Sequence, residues 1–571
     1  MPIGVVRPVM GQPLVPLFHP YGESIMEEEK KSPIESVSVE LGTSPAGAEA
    51  AKVADTGWVF LICTDLGYLS ETIRPVTSAD LGRFMDESGA CARGTVDRAD
   101  GDGRVFVEYP VRAPSDFSGR KLAECLPAVA GERAVSAALE AAAKGEISPQ
   151  RAVEQVQPYR SEIPEAAEGI RLLQGAAGAE KGAVDTASSA VDNILSAMDT
   201  GPSSSASTEG STAAARERLG ACVASLRNRI DTRVRLVREA GFFSDLRASW
   251  SALRHAVKLA GRNRDITLLV YSAPRETCAE MLPGILRKLT AEGVRPDSVL
   301  WDHDVTLNNA DISLMTSLAQ SAEAAYTTLL AGLAPDDPFV RGCDGADTLR
   351  PLFEDPSFQI LARLRTTTAS RLLTLAAPRV VIDAREEPPC RVAASWLILF
   401  NLITRIKQGG AAPLRESVTL DEAELGAAAE FPLRDAARLT ADLSEEAGEK
   451  GLTLLSRTTA SRAGTPVRTL IDESVASSQY TLLAYNLLVN RLAGEVLGAA
   501  RDVRSGGGER DSVDEVTRRI EALLARMRMI KRREEVDVRE EGGTVSVDID
   551  PSGTIGGLSA RVKFDLDLDA I

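Results

Sequence analysis

The chain has 571 residues, of which 44% are hydrophobic and 4% aromatic, and a formal net charge of −17 at pH 7. Its length is that of roughly three or four domains, and its acidic balance argues against a nucleic-acid-binding protein, which needs a basic surface. No apolar run reaches the roughly 18 residues of a membrane-spanning helix. The seven cysteines include no Cys-x-x-Cys pair, which indicates reduced thiols in the cytoplasm and neither a disulfide framework nor a zinc site.

The N-terminal region contains one isolated strand pattern. Prolines interrupt the apolar residues near the start, so no signal peptide is predicted, and residues 1–31 are expected to form a flexible arm. Residues 34–41 (IESVSVEL) then alternate, with Val37, Val39 and Leu41 on one face. No hairpin partner lies nearby in the sequence. Two interpretations stay open: an edge strand of its own domain, or a strand that pairs with another molecule.

Two further strands and a helix are predicted before residue 127. Residues 58–63 and 104–111 have strand patterns, and residues 113–127 begin a helix with Ser115 or Asp116 as its N-cap. This order resembles the small sheath subunit of the bacterial type VI secretion system. That family has a tethered strand, a core strand ending in Gly-Asp-Phe, and later an Asp-Phe-Ser-Pro segment. The corresponding residues here are Asp65-Leu66-Gly67, Asp116-Phe117-Ser118 and Leu126-Pro127.

A short amphipathic helix is predicted in the middle of the chain. Residues 184–198 follow an Ala- and Glu-rich helical region and precede a Ser-rich linker. Either the helix packs as a bridge within the protein, or it is a docking peptide for a partner. Its apolar face consists of Val191, Ile194, Leu195 and Met198.

The region after residue 213 has the pattern of an α/β layer. A long helix over 213–241 leads into a second helix, and residues 266–271 form a short apolar run that suits a buried strand. A helix over 276–292 and a strand over 298–301 follow, which predicts a parallel strand pair with a right-handed crossover. A further helix is predicted over 311–333.

This second region resembles the large sheath subunit of the same secretion system. The family's Trp-Arg-Gly-Leu signature corresponds to Trp250-Ser251-Ala252-Leu253, in which the Trp and Leu match. Its Leu-Pro-Arg-Val-Leu strand corresponds to Ala-Pro-Arg-Val-Val at 377–381, and its Leu-Leu-Ala-Asn-Arg-Phe segment to Leu-Leu-Val-Asn-Arg-Leu at 487–492. In that family a helix like the one over 184–198 is recognised by a recycling AAA+ ATPase, and the resemblance implies this role for its apolar face.

The C-terminal region combines a basic helix with two strands. The helix over 513–533 carries many cations, which form either a solvated face or a contact with an oppositely charged partner. We interpret the second alternative as a contact with an inner tube. Strands over 545–549 and 560–568 follow and offer an edge for pairing between molecules. The residues proposed for the tube contact are Arg518, Arg526, Arg528 and Lys531, and those for strand exchange are Val545, Val547, Val562, Phe564 and Leu566.

No catalytic, metal-binding or cofactor-binding residue is predicted, and we do not expect an enzyme. The three histidines lie far apart in the sequence. Asp302-His303-Asp304 has metal-ligand side chains, but strand alternation brings only the two Asp together. The Gly-rich residues near Gly175 lack the Gly-Lys-Ser/Thr order of a phosphate loop.

The two resemblances together imply a contractile sheath protein with small and large subunits fused in one chain. The implied fold is α/β (mixed α+β), with a sheath-type architecture of mixed sheets flanked by helices and exchanged N- and C-terminal strands. The implied partners are other copies in a helical homo-polymer, an inner tube protein, a baseplate and the AAA+ ATPase, in the cytoplasm. One alternative is an α/β enzyme or nucleotide-binding protein with an N-terminal regulatory domain, and another is a non-contractile scaffold. The predicted domains are an arm (1–31), a small-subunit-like domain (32–180), a helix and linker (184–215) and a large-subunit-like domain (216–571).

Overall fold

The computed structural model separates the chain into two compact units. One unit comprises residues 1–84 and 248–571, and the other comprises residues 85–247. The domain boundaries predicted from the sequence follow a resemblance to two separate subunits and not the compactness of the fold, so they stay a prediction. The structure describes residues 57–97, 103–174, 206–344, 346–383, 388–409, 414, 419–420, 428–429, 441–455, 465–470, 482–505, 512–527, 529, 536–541, 544–550, 554–555 and 561–567.

Strands and helices alternate along much of the described chain, which confirms the predicted mixed α/β class. The strands are β1 (Trp58–Thr64), β2 (Arg74–Pro75), β3 (Cys91–Asp97), β4 (Arg104–Pro110), β5 (Ile266–Ser272), β6 (Ser298–Val305), β7 (Thr328–Leu333), β8 (Leu373–Ala377), β9 (Val380–Asp383), β10 (Cys390–Val392), β11 (Thr419–Leu420), β12 (Ala428–Ala429), β13 (Leu452–Leu454), β14 (Thr465–Pro466), β15 (Val536–Glu541), β16 (Thr544–Ile549) and β17 (Val562–Asp567). The helices are α1 (Leu81–Glu87), α2 (Gly119–Cys125), α3 (Ala130–Ala143), α4 (Pro149–Val156), α5 (Ala206–Glu239), α6 (Gly241–Ala260), α7 (Arg275–Ala291), α8 (Asn309–Ala324), α9 (Pro338–Gly342), α10 (Arg350–Phe353), α11 (Pro356–Arg365), α12 (Ala394–Gly409), α13 (Ala441–Glu449), α14 (Leu483–Ser505) and α15 (Ser512–Arg526).

A seven-stranded sheet forms the centre of the larger unit, in the order β13-β8-β7-β6-β1-β5-β2. Neighbours from β13 to β5 pair in parallel, and the short edge strand β2 pairs antiparallel to β5. Every residue of β1, β7 and β8 is buried. Helices therefore cover both faces of these strands, which is why their sequences read as continuous apolar runs.

The strand–helix–strand prediction was right about the elements and wrong about their pairing. Strands β5 and β6 flank helix α7 in the sequence and run parallel, but β1 lies between them and pairs with both. Phe60, for example, lies opposite Leu268 on one side and Ser298 on the other. About two hundred residues separate β1 from its partners (β5 starts at Ile266). No local pattern in the sequence indicates such a distant insertion.

The helix predicted over 311–333 was wrong in its last third. Helix α8 ends at Ala324, and residues 328–333 form the buried strand β7. Tyr326 has a φ of 52°, a left-handed conformation that a continuing helix does not allow. Only Ala325, Tyr326 and Thr327 separate the helix from the strand, and none of them is a glycine or proline that would mark the break, so the sequence pattern joined the two elements.

The smaller unit packs a β-hairpin and several helices against the long helix α5. Strand β4 matches the strand predicted over 104–111, and it pairs antiparallel with β3, which the sequence analysis did not predict. Gly94 of β3 lies against the ring of Phe242. Helices α3 and α4 share an apolar cluster with α5, lined by residues such as Leu139 and Leu226. The N-cap of helix α2 is Ser118, which accepts a hydrogen bond from the backbone of Lys121, so the expected caps were wrong.

Ion pairs reinforce the packing on α5. Arg227 pairs with Glu140 of α3, and Arg233 pairs with Glu132 of the same helix. The Glu132 side chain is almost fully buried. The arginines of α5 therefore hold this helix against α3 through ion pairs, in addition to the apolar cluster that the two helices share.

A buried Arg–Asp pair holds helix α14 to the amino ends of the central strands. The Arg491 Nε donates to Asp297 Oδ1 at 2.5 Å, and its Nη2 donates to the Gly57 carbonyl at 2.6 Å. The Arg491 guanidinium also lies over the Trp58 ring, 3.9 Å from its centroid. Asp297 Oδ2 accepts the backbone N–H of Val59 at 2.8 Å. The arginine of the Leu-Leu-Val-Asn-Arg-Leu segment is thus a structural anchor of β1.

We expect Arg491→Met to destabilise the protein by roughly 3–5 kcal/mol, because it leaves the Asp297 carboxylate buried without its cation. Arg491→Lys should lower the free energy of unfolding by a smaller amount, since lysine keeps the positive charge but lacks the guanidinium that bonds Asp297 and the Gly57 carbonyl through separate nitrogens. The midpoint of urea unfolding measures both effects. Arg287→Met is the control, because Arg287 is exposed on α7. Equal midpoints for Arg491→Met and Arg287→Met would contradict the anchoring role.

Candidate assembly surfaces

The residues predicted for C-terminal strand exchange lie in one small antiparallel sheet of order β15-β16-β17. Val545 and Val547 of the middle strand are buried, as is Val562 of β17. The register places Phe564 opposite Val547 and Leu566 opposite Val545. All five predicted positions therefore share one face of this sheet. Exchange of these strands between molecules stays a prediction.

The two edges of this small sheet differ in character. On β15, the three positions opposite Ile549, Val547 and Val545 are Val536, Val538 and Glu540, and Glu540 is exposed. On β17 the three corresponding positions are all apolar. Among the described residues no strand lies beyond β17. The apolar face thus continues to the β17 edge, whereas charge interrupts it at β15, a common way to block an edge strand.

The positive charge of helix α15 is partly offset by Glu515 in its first turn. Arg518 bonds Glu515 through two nitrogens, at 2.6 and 3.0 Å, and Arg519 bonds the same carboxylate at 2.9 Å. The hydrogen bonds from Arg518, followed by those from Arg519, lower the pKa of Glu515 to about 2. The charge of Arg518 is therefore offset locally. Arg526 ends the helix, and Arg528 and Lys531 lie outside the described residues.

Two other sets of predicted site residues also lie outside the described residues. They are the N-terminal strand residues Val37, Val39 and Leu41, and the proposed ATPase-recognition residues Val191, Ile194, Leu195 and Met198.

The two motifs that resemble different sheath subunits contact each other directly. Asp65 Oδ1 accepts the Gly67 N–H at 2.9 Å, and Gly67 has a φ of 77°, which favours glycine. The tight turn presents the Leu66 carbonyl to Trp250 Nε1, which donates to it at 3.2 Å. The Leu66 N–H donates to Ser272 Oγ at the end of β5. The Asp-Leu-Gly turn and the Trp250 signature therefore form one structural joint.

A buried carboxylate links four elements near the carboxyl end of β6. Asp302 accepts hydrogen bonds from Thr64 Oγ1 of β1 at 2.7 Å, Ser249 Oγ of α6 at 2.8 Å and Trp396 Nε1 of α12 at 2.6 Å. Asp304, two residues on, pairs with Arg379. The sequence analysis did not predict these bonds, because the three donors to Asp302 come from distant parts of the chain and no local spacing indicates them.

His303 lies on the opposite side of the strand from the two aspartates, as alternation requires. Its ring meets that of Trp301 edge-on, with 4.8 Å between the centroids. Burial, with a smaller effect of the Arg275 charge, lowers the pKa of His303 to about 4. Within the described residues, no group of three or more His, Cys, Asp or Glu side chains has the arrangement of a metal site.

Comparisons with known proteins are sparse. No family model matches the chain, and no curated protein sequence matches it. Among solved structures, the chain is similar to one in the cryo-EM structure of the anti-feeding prophage (AFP) baseplate, 6-fold symmetrised, at 14% identity and a TM-score of 0.33. That match covers 52% of this chain and 71% of the other. No described helix has the length and apolarity to cross a bilayer.

The Asp302 network predicts a specific pH dependence of stability. Burial raises the pKa of Asp302 from 3.8 to about 6, although the hydrogen bonds from Thr64, Ser249 and Trp396 oppose this effect. A raised folded-state pKa stabilises the protein fully below pH 3.8, and this contribution is lost as the pH rises through about 6. The loss corresponds to roughly 3 kcal/mol.

We therefore expect Asp302→Asn to remove this contribution, because an amide does not titrate. Between pH 4 and pH 7, the free energy of unfolding of the native protein should fall by roughly 3 kcal/mol relative to that of the variant. Urea unfolding at a series of pH values measures the difference. Glu276→Gln, at an exposed position of α7, controls for the loss of one carboxylate. Parallel profiles for the native protein and Asp302→Asn would refute the burial argument.

Proposed function

We propose that this protein is a structural subunit of a contractile sheath, in a type VI secretion system or a related contractile injection system. It would polymerise around an inner tube and contract to drive that tube into a target cell. One observation carries the proposal: the β17 edge, with its continuous apolar face and no neighbouring strand among the described residues. The sequence also contains a separate strand pattern, over 34–41, whose apolar face (Val37, Val39, Leu41) would extend the face of β17.

Strand addition suits a lattice that must move without coming apart. Main-chain hydrogen bonds to a sheet edge give affinity that depends little on side chains, and alternate side chains give the register. A strand on a tether holds neighbours together while rigid bodies rotate past each other. The free energy for contraction then comes from contacts between subunits in the short state. This chain needs no catalytic residue for that role.

The fusion of small-subunit-like and large-subunit-like sequences is supported by the central sheet. The first supplies β1 and the Asp65-Leu66-Gly67 turn, and the second supplies β5, β6 and Trp250. The joint between them is buried: Leu66 is fully inaccessible and Trp250 is 3% exposed. We infer that the two sequences act as one body. The other proposed partners are the inner tube protein, the baseplate and an AAA+ ATPase that recycles the sheath.

An α/β enzyme or nucleotide-binding protein is the second candidate. The observation that favours it is the buried Asp302, with its raised pKa, near the carboxyl ends of parallel strands, where α/β proteins commonly bind ligands. Both Asp302 and Asp304 are engaged by protein donors, which speaks for a structural role. Negative-stain microscopy separates the candidates, because a sheath forms long hollow cylinders and an enzyme forms discrete particles.

Assembly through the 34–41 strand predicts a face-specific effect of substitution. Val39→Asp places a charge on the apolar face of the strand and should abolish polymerisation, as should deletion of residues 34–41. Ser38→Asp adds the same charge to the other face of the same strand and should leave assembly nearly intact. Sedimentation and negative-stain microscopy measure the polymer, and circular dichroism checks folding. Sheaths formed by the deletion variant would show that this strand is not exchanged.

The proposed inner-tube contact predicts a charge-specific effect on co-assembly. Reversal of Arg526 and Arg528 to Glu should weaken capture of the inner tube protein at least tenfold without unfolding the chain, because like charges then face each other. The matched control reverses Arg216 and Arg218, two exposed arginines of α5. Co-sedimentation with the inner tube protein at low and high salt measures capture. Equal capture by both double variants would remove the contact from the proposal.

A further inference from the structure

The residue that precedes β1 is held by the same helix that packs against the edge strand β17. Arg491 of α14 donates to the Gly57 carbonyl at 2.6 Å, and α14 also contacts β17 within the larger unit. Ser505, the more distant end of α14, lies about 21 Å from Arg491 along the helix axis. With about 10 Å for each of the two contacts with the helix, Gly57 and β17 lie within about 40 Å of each other.

The strand pattern over 34–41 is joined to Gly57 by a short tether. The fifteen residues 42–56 form it, and they lie outside the described residues. An extended chain from Leu41 to Gly57 spans up to about 55 Å, which covers the distance to β17. A site within reach of a short tether has an effective concentration of about 1 mM, so it fills before the same site on another molecule of a dilute protein.

Charges on the second face of β17 select a direction for an added strand. Arg561 and Lys563 both pair with Asp548 of β16, at 2.6 and 2.8 Å, so two cations share one carboxylate. Asp565 follows Lys563 by two residues and therefore lies on the same face of the strand. This face is thus positive near the start of β17 and negative further along.

An antiparallel strand over 34–41 matches both faces of β17 in one register. The apolar pairs would be Val37 with Leu566, Val39 with Phe564, and Leu41 with Val562. In the same register Glu40 falls opposite Lys563. A parallel strand that covers the same three apolar positions brings Glu40 opposite Asp565, and like charges directly opposite each other destabilise a strand pair.

We propose that, in the free subunit, residues 34–41 add antiparallel to the β17 edge of their own chain and close this edge to other molecules. One edge accepts one strand, so a neighbour's strand enters only where the subunit's own strand has left. Strand exchange between subunits then competes with pairing inside each subunit, which restrains assembly. This restraint rests on the proposed sheath function, whereas the pairing within one chain does not.

Disulfide cross-linking between opposite positions tests the register. The background is the full chain with its less buried cysteines replaced, as Cys91→Ser, Cys125→Ser and Cys222→Ser. Ser38→Cys with Asp565→Cys should link on addition of oxidised glutathione, because the antiparallel register places these two positions opposite each other. The matched control is Ser38→Cys with Lys563→Cys, which only the parallel register brings opposite, and its link should form at least tenfold more slowly.

An isotope mixture shows whether the link joins one chain or two. Unlabelled and isotope-labelled chains are mixed in equal amounts at submicromolar concentration, oxidised and mapped by mass spectrometry. Each linked peptide pair should carry one kind of label only. Pairs that mix the labels would show that the strand joins another copy and would overturn the proposal. A faster link at position 563 than at 565, or no link in a folded variant, would overturn the register.

Hydrogen exchange on the chain with its native cysteines gives a second measurement. Deletion of residues 34–41 should speed exchange of the β17 amides that do not bond β16 by at least tenfold, while exchange of the β15 amides stays unchanged. Unchanged exchange in β17 would overturn the pairing, even where a double cysteine variant folds poorly.

Polymerisation of the linked chain separates this proposal from the proposed function. The chain linked between positions 38 and 565 should not polymerise until dithiothreitol opens the bond. Equal polymerisation before and after reduction would overturn the restraint on assembly. A single-label link in a chain that forms no polymer in either state, as also in the native protein, would refute the sheath function and leave the pairing in place.

Discussion

The insertion of β1 between β5 and β6 is the constraint on which the rest of the structure depends. A parallel strand that is buried on both faces must have its backbone N–H and C=O groups paired on both edges, because no water reaches them. Without β1, the facing edges of β5 and β6 would be left with unpaired groups inside a core. Strand β1 and the strands after residue 248 therefore belong to one compact unit, although residues 85–247, which form the other unit, separate them in the sequence.

Side-chain bonds reinforce this insertion at both ends of β1. At the amino end, Asp297 accepts the Val59 N–H and is itself held by Arg491. At the carboxyl end, Thr64 donates to Asp302. Both carboxylates are buried, and a buried charge is tolerated only where donors surround it. Polar groups at each end of an otherwise apolar strand fix its register, since a slip by one residue would move the Val59 N–H away from Asp297 and the Thr64 hydroxyl away from Asp302.

The sequence predicts the helices and strands well, but it predicts poorly which strands pair with each other and which side chains meet. The apolar runs at 58–63 and 266–271 are strands, because continuous apolarity over so few residues is the mark of a strand buried on both faces. The order of strands in the sheet depends on long-range packing that no window of residues contains. The same limit explains Asp302, whose donors come from β1, α6 and α12. Arg491 lies in the Leu-Leu-Val-Asn-Arg-Leu segment, but no local pattern indicates that it binds Asp297, which lies almost two hundred residues earlier in the chain.

Under the proposed function, two of the sheets in the larger unit have different roles, one in stability and the other in assembly. In the seven-stranded sheet, the inserted strand β1 is paired with a neighbour on both of its edges. The edge strand β2 is short and carries a proline and an exposed arginine, which discourages pairing with a further strand. In the C-terminal sheet, the face that contains Val545 and Val547 carries a charged position, Glu540, on one edge strand and only apolar positions on the other. An added strand gains most at an edge where its apolar face continues an existing one. Under the proposed function, the sealed sheet keeps each subunit rigid, and the β17 edge is where neighbouring subunits join.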